Sequence, residues 1–134
     1  MNMPMETPGL KAGVIHLQDL PLRSLVEGAV SRLLCGEKIM LSFIEIAPHT
    51  HFPRHRHPEE QFMIVLEGQV DEIVGDEIVP LRPGDVCYLP SNLEHGGYTH
   101  EEGCRAIDIF SPPRKDYRDL QESAGQTGKK GGSP

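Results

Sequence analysis

Residues 55–68 read HRHPEEQFMIVLEG and combine two histidines with an apolar run. In an extended chain, residues two apart point to the same side, so His55 and His57 can bring two imidazoles to one face, about 7 Å apart. The run at 62–66 is rich in the branched and aromatic residues that favour β-strands. Histidines are common on protein surfaces, so this pair needs further residues before it predicts a metal site.

The segments around this stretch predict an all-β domain. Glycine and proline turns such as Arg82-Pro83-Gly84-Asp85 separate a series of short apolar runs. Many short strands at this spacing are typical of a sandwich or a barrel. The predicted strands are 39–46, 62–66, 70–74, 78–81, 86–89 and 104–110. A short C-terminal helix is expected over 116–122.

The chain of 134 residues is long enough for one domain. Its first part, 1–13, carries several prolines and glycines and is expected to be a flexible arm. The domain itself is assigned to 14–122. The remainder, 123–134, is mostly Gly, Ser, Lys and Pro, which predicts a disordered tail.

Charge and composition narrow the class of function. The net charge is −7 and no cluster of Lys and Arg appears, which argues against binding to nucleic acid. No stretch approaches the roughly 18 apolar residues of a membrane span, and no signal peptide is visible. Cys35, Cys87 and Cys104 are odd in number and widely spaced, so we expect buried free thiols and a cytoplasmic location.

A third histidine ends a second segment, 84–95, which reads GDVCYLPSNLEH. Together the two segments resemble the two motifs of the cupin family, which face each other inside a jelly-roll β-barrel and share one metal ion. The resemblance implies His55, His57 and His95 as ligands. Gln61 stands where the family usually has a glutamate, and its carbonyl oxygen can complete the set.

Two alternatives remain at this stage. Gln61 could hydrogen-bond on the barrel wall while Glu59 or Glu60 ligates through a shifted register, or the site could be degenerate and empty. With imidazole and amide ligands the expected cofactor is one divalent transition metal ion, Ni, Mn, Fe or Zn. His49 and His51 form another pair, which we expect in a solvated loop at the barrel mouth.

The last predicted strand leads into the segment 108–114, which reads DIFSPPR. Alternation places Asp108 and Phe110 on one side of it, and we expect both to face the interior. A buried carboxylate is costly unless it is paired or lies near a cation. The metal and Arg114 are the candidate partners. A structural pair between Asp108 and Arg114 is the alternative.

This ending is similar to that of small cupins of the pectin-degradation type, which also share the pattern at 55–61. The resemblance implies a metal-dependent isomerase that opens the ring of an unsaturated uronate, an acidic small molecule, to a linear keto acid. It also implies Asp108, Phe110 and Arg114 as catalytic residues. Small cupins of this kind form homodimers, and the segment 14–26 could add strands to a partner's sheet.

Two other functions stay open from the sequence. Three-histidine cupins can activate dioxygen, so a metal-dependent dioxygenase acting on a small organic substrate is one. A non-catalytic module that binds or senses a small acid is the other.

Overall fold

The computed structural model describes residues 10–123, and strands dominate them. The strands are β1 (Leu22–Val26), β2 (Ala29–Cys35), β3 (Met40–Ile46), β4 (His51–His55), β5 (Glu60–Gly68), β6 (Val70–Val74), β7 (Glu77–Leu81), β8 (Val86–Leu89), β9 (His95–Tyr98) and β10 (Cys104–Ser111). A 3-10 turn, Leu17–Asp19, precedes them and the helix α1 (Lys115–Glu122) follows. The all-β prediction and the short C-terminal helix are confirmed.

The strands form two antiparallel sheets. One has six strands in the order β1-β2-β3-β10-β5-β8, and the other has four in the order β4-β9-β6-β7. Within residues 10–123 no strand ladder joins the two sheets, so the barrel is a two-layer jelly roll. The chain passes between the sheets at β3–β4, β4–β5, β5–β6, β7–β8, β8–β9 and β9–β10.

The hydrophobic core lies between the two sheets. Its buried members include Ile44, Val65 and Ala106 from the larger sheet and Val70 and Leu81 from the smaller one. Strands β2 and β10 alternate strictly between buried and more exposed positions, as expected when one face of a sheet covers a core. Removal of this apolar surface from water is the main favourable contribution to folding.

Four of the ten strands in the described part of the chain, β1, β2, β4 and β9, were not among the predicted strands. In the segment 14–26, which could add strands to a partner's sheet, β1 pairs with β2 of its own chain and 14–21 forms no strand. In β2 the polar Ser31 faces inward and breaks the apolar pattern. Its hydroxyl is satisfied by the buried Ser42 at 2.6 Å, which explains why a polar residue is tolerated there.

The remaining predictions concern the chain ends, the cysteines and membrane spans. Most of the arm and of the tail, 1–9 and 124–134, lies outside the described residues. Cys35, Cys87 and Cys104 are free and buried, as predicted. Across the described stretch, 10–123, no helix has the length and apolarity needed to cross a membrane.

Candidate functional site

Three histidines from distant parts of the chain meet at one point. His55 ends β4 and lies opposite His95, the first residue of β9. His57 lies beyond the end of β4, so the turn at Pro58, rather than strand alternation, brings it to the others. One ligand atom from each imidazole lies within 4.8 Å of the other two. This spacing would allow a single metal ion to contact all three.

Backbone carbonyls determine the tautomer of each ring. The Nδ1 atoms of His55, His57 and His95 lie 2.9, 3.0 and 2.9 Å from the carbonyl oxygens of Pro53, Glu59 and Leu93. A carbonyl oxygen can only accept, so each Nδ1 carries the proton and donates. Every Nε2 is therefore left with a lone pair for a metal, the arrangement that commonly orients histidine ligands.

Gln61 adds a fourth candidate ligand, an amide oxygen, to the three histidine nitrogens. Its Nε2 donates to Oδ1 of Asp108 at 3.0 Å, which turns its Oε1 toward Nε2 of His57 at 3.1 Å. With Nδ1 of His57 already donating to a carbonyl, two lone pairs face each other across that short distance. A cation between them would remove the repulsion, so the residues present fit a metal ion.

The charge state of the imidazoles also suits a metal. Burial lowers the pKa of His57, and the positive charge of Arg114 lowers it further. Burial lowers the pKa of His95 to about 4, with His55, His57 and Arg114 adding to the effect. These two rings are therefore neutral at neutral pH, and metal binding there needs no loss of a proton.

The other candidate ligands lie elsewhere. Glu59 places Oε1 3.4 Å from Nδ1 of His57, the nitrogen that does not face the cluster, and Glu60 accepts a hydrogen bond from Tyr88. Neither carboxylate belongs to the histidine cluster in the described part of the chain. His49 and His51 are exposed and also lie outside it, although His51 is in β4 and not in a loop.

A pocket opens beside the three histidines, between the two sheets. Its empty volume, mouth included, is about 480 Å³, within the usual range for small-molecule sites. Asp108 and Phe110 face inward as predicted, with exposed fractions of 7% and 1%. Apolar side chains such as Ile44 and Met63 form much of the wall, while the polar groups gather near the histidines.

Asp108 is a carboxyl group with little contact with water. Burial raises its pKa to about 6, although the hydrogen bond from Gln61 and the positive charge of Arg114 oppose the rise. Near neutral pH this carboxyl can therefore both accept and release a proton.

Arg114 does not pair directly with Asp108, the alternative that the sequence left open. Its Nε and Nη2 donate to the two oxygens of Asp116 at 3.1 and 2.7 Å. Its guanidinium lies 3.8 Å from the ring centroid of Tyr117 and 5.2 Å from that of Phe110. The cation is thus held at the pocket by one carboxylate and two aromatic rings.

The sequence analysis missed two polar residues of the pocket, Glu72 and Tyr117. Glu72 occupies an inward position of β6, two residues after the buried Val70, and strand alternation could have indicated it. Tyr117 comes from α1, and no local pattern shows that this helix returns to the pocket. His100 Nε2 lies 2.9 Å from Asp71 Oδ2 at the surface.

Comparison with known proteins gives one family match and several similar sequences. The sequence model of the cupin domain matches residues 42–110. The pectin degradation protein KdgF of Dickeya dadantii is 27% identical over 101 residues, which cover 74% of this chain and 92% of that protein. An L-ectoine synthase of Vibrio campbellii is 33% identical over 91 residues, covering 63% and 70%.

The solved structures support the same fold. The structure of KdgF from Halomonas sp. superposes with a TM-score of 0.74 at 21% identity and covers 80% of this chain and 99% of that one. At this level of identity the match shows the cupin jelly roll and nothing finer.

Proposed function

The chain belongs to the cupin domain family, and on that premise we propose that it is a metal-dependent enzyme that opens the ring of an unsaturated uronate. The observation that carries the proposal is the hydrogen bond from Gln61 to Asp108 beside the three histidines. It joins a metal-binding group to a proton-carrying group within one pocket. The 27% identical relative, a pectin degradation protein, supports a uronate as the substrate.

The proposed metal ligands are Nε2 of His55, His57 and His95 with Oε1 of Gln61. One divalent transition metal ion is expected, with Ni, Mn, Fe and Zn as the candidates. When bound, the ion would supply Lewis-acid polarisation of a substrate oxygen. Because all four ligands are neutral, they would leave the charge of the ion undiminished.

Arg114 is the proposed binding group for the substrate carboxylate. Asp116 occupies the Nε–Nη2 edge of the guanidinium, so a substrate carboxylate would take the Nη1–Nη2 edge or displace Asp116, whose side chain is largely exposed. Phe110 packs between His57 and Arg114 and holds both in place. Two parallel hydrogen bonds from an arginine would orient the acid end of the sugar.

Asp108 is the proposed proton carrier. It would accept the proton of the anomeric hydroxyl while the bond between the anomeric carbon and the ring oxygen breaks. It would then return that proton to the alkene carbon of the resulting enolate, which becomes a ketone. No atom is gained or lost, so the reaction is an isomerisation. A pKa of about 6 lets Asp108 act in both directions near neutral pH.

The direct test follows the sugar by NMR. Purified metal-loaded protein is incubated with unsaturated galacturonate, and the signals of the cyclic form are compared with those in buffer and in metal-stripped protein. We expect the cyclic form to be lost faster than in buffer only in the sample with metal-loaded protein. Loss at the spontaneous rate would refute the proposal.

A second candidate function is the synthesis of L-ectoine, because an L-ectoine synthase is 33% identical to this chain. Since an enzyme accelerates both directions of its reaction, the same NMR assay with L-ectoine would reveal this chemistry. The dioxygenase and the non-catalytic binding module stay as further predictions. Oxygen consumption with Fe(II) and a phenolic or diketone substrate would indicate the former, and ligand binding without turnover the latter.

We also propose a homodimer in the cytoplasm. The three free cysteines suit a reducing compartment. Sedimentation velocity on the purified protein measures the oligomeric state, and a monomer at micromolar concentration would contradict the dimer.

A further inference from the structure

Glu72 is a buried carboxyl group without a partner in the fold. Its exposed fraction is 6%, and it borders the pocket. Among residues 10–123 its side chain forms neither a hydrogen bond nor an ion pair. Burial of a carboxyl group without such a partner lowers stability. The stability of the fold therefore gives no reason for a buried carboxyl group at Glu72.

The smaller sheet is built to hold this side chain at the pocket. Glu72 of β6 lies opposite Gly97 of β9, and a Cβ atom at Gly97 would come within 2.9 Å of Glu72 Oε1. The glycine therefore leaves space for the carboxyl group. His95 lies two residues from Gly97 on the same face of β9, so Glu72 and His95 are diagonal neighbours, about 7 Å apart.

Asp108 approaches Glu72 from the other sheet. Burial raises the pKa of Glu72 well above its ordinary value, and the negative charge of Asp108 raises it further. Burial therefore favours the protonated form of Glu72, which has one hydrogen-bond donor and free acceptor positions. Such a group suits a hydroxyl, which also donates and accepts, better than it suits a second carboxylate.

We infer that Glu72 is a specificity-determining residue that hydrogen-bonds a hydroxyl group of the substrate inside the pocket. The inference rests on the proposed function, in which Arg114 binds the carboxylate of the same molecule. The two groups together select a hydroxy acid over an acid without hydroxyls. Asp108 remains the proton carrier, so Glu72 contributes to binding and orientation.

The test separates binding from turnover in two variants. Glu72→Met keeps the size of the side chain and removes its hydrogen bonds, and Glu72→Gln keeps a donor and an acceptor. With unsaturated galacturonate we expect Glu72→Met to raise KM about tenfold, the usual effect of one lost hydrogen bond, while kcat changes about twofold or less. Glu72→Gln should stay close to the wild type.

Substrate analogues identify which hydroxyl group Glu72 contacts. For the 2-deoxy or the 3-deoxy analogue that lacks the bound hydroxyl, wild type and Glu72→Met should have equal KM values. Glu45→Met on β3, an exposed position, is the matched control and should change nothing. Wild-type turnover with an unchanged KM in Glu72→Met would overturn the inference and leave the proposed function intact.

A binding measurement keeps the two proposals apart if turnover is absent. Calorimetric titration of the metal-loaded protein with galacturonate, a stable hydroxy acid, should show weaker binding to Glu72→Met than to the wild type. Weaker binding to Glu72→Met, in the absence of turnover, would support Glu72 as a ligand contact and refute the proposed ring-opening reaction. Equal binding to both proteins, or binding to neither, would overturn the inference about Glu72.

Discussion

The side-chain amide of Gln61 donates to Asp108 Oδ1 at 3.0 Å and thereby directs its own oxygen toward the histidines. The hydrogen bond couples two functions that reside on different strands, β5 and β10. Any change at Gln61 should therefore affect both metal binding and the protonation of Asp108.

Gln61→Glu tests this coupling. A carboxylate at this position adds negative charge to the ligand set and repels the charged form of Asp108. We expect tighter metal binding, measured by competition with a chelator, and an acid limb of the pH–rate profile shifted to higher pH. Gln69→Glu, outside the pocket, should leave both unchanged. An unshifted pH profile would show that the two residues act independently.

The histidine cluster predicts a sharp contrast between two neighbouring histidines of β4. His55→Ala removes a proposed ligand and should lower metal affinity about tenfold or more. His51→Ala, exposed and outside the cluster, should retain the wild-type metal content. Inductively coupled plasma mass spectrometry after dialysis measures both. Equal metal contents in the two variants would contradict the assigned site.

Asp108→Asn separates metal binding from proton transfer. Asparagine keeps an oxygen acceptor for Gln61, so the metal content should stay at the wild-type level. Without a proton carrier the rate of ring opening should fall by about a hundredfold or more. The NMR assay measures the rate, and an active Asp108→Asn variant would remove this residue from the mechanism.

Arg114→Lys tests recognition of the substrate carboxylate. Lysine preserves the charge but cannot form two parallel hydrogen bonds from one planar group. We expect KM to rise about tenfold, as for the loss of one charge-assisted hydrogen bond. The matched control is Arg105→Lys, an exposed arginine paired with Glu67, for which normal kinetics are expected. Similar KM values in both variants would argue against Arg114.

The raised pKa of Glu72 makes a prediction about stability. Above the ordinary pKa of 4.5, the unfolded chain loses this proton while the folded protein keeps it. The folded state then binds more protons, so the free energy of unfolding decreases as the pH rises toward the raised pKa. Glu72→Gln removes this contribution. Its melting temperature should therefore exceed that of the wild type by more at about pH 8 than near pH 4.5.

This comparison requires control of the neighbouring groups. Asp108 and the Cys87 thiol interact with Glu72 and titrate as well, so the difference between variant and wild type is the relevant quantity. For a chain of this length, about 1 kcal/mol corresponds to roughly 4 °C in melting temperature. A difference that is constant between these pH values would show that Glu72 has an ordinary pKa in the fold.

Much of the fold was accessible from the sequence because its signals are local. Apolar runs and proline-glycine turns predicted most strands within one or two residues, although β5 extends further, from Glu60 to Gly68. The strands β1, β2, β4 and β9 were not predicted. In β2 the inward Ser31 is acceptable only through its contact with Ser42. That contact joins two strands, and neither strand alone reveals it.

The sequence by itself determined six of the ten strands that the structure describes, the types of candidate ligand and the inward side of β10. Only the tertiary structure decided which edge of the Arg114 guanidinium is taken by Asp116. It also decided which way the amide of Gln61 points and that Glu72 borders the same pocket. The physical reason is that alternation and turn chemistry depend on neighbours in the chain. Hydrogen-bond orientation and burial depend on the register between strands far apart in it.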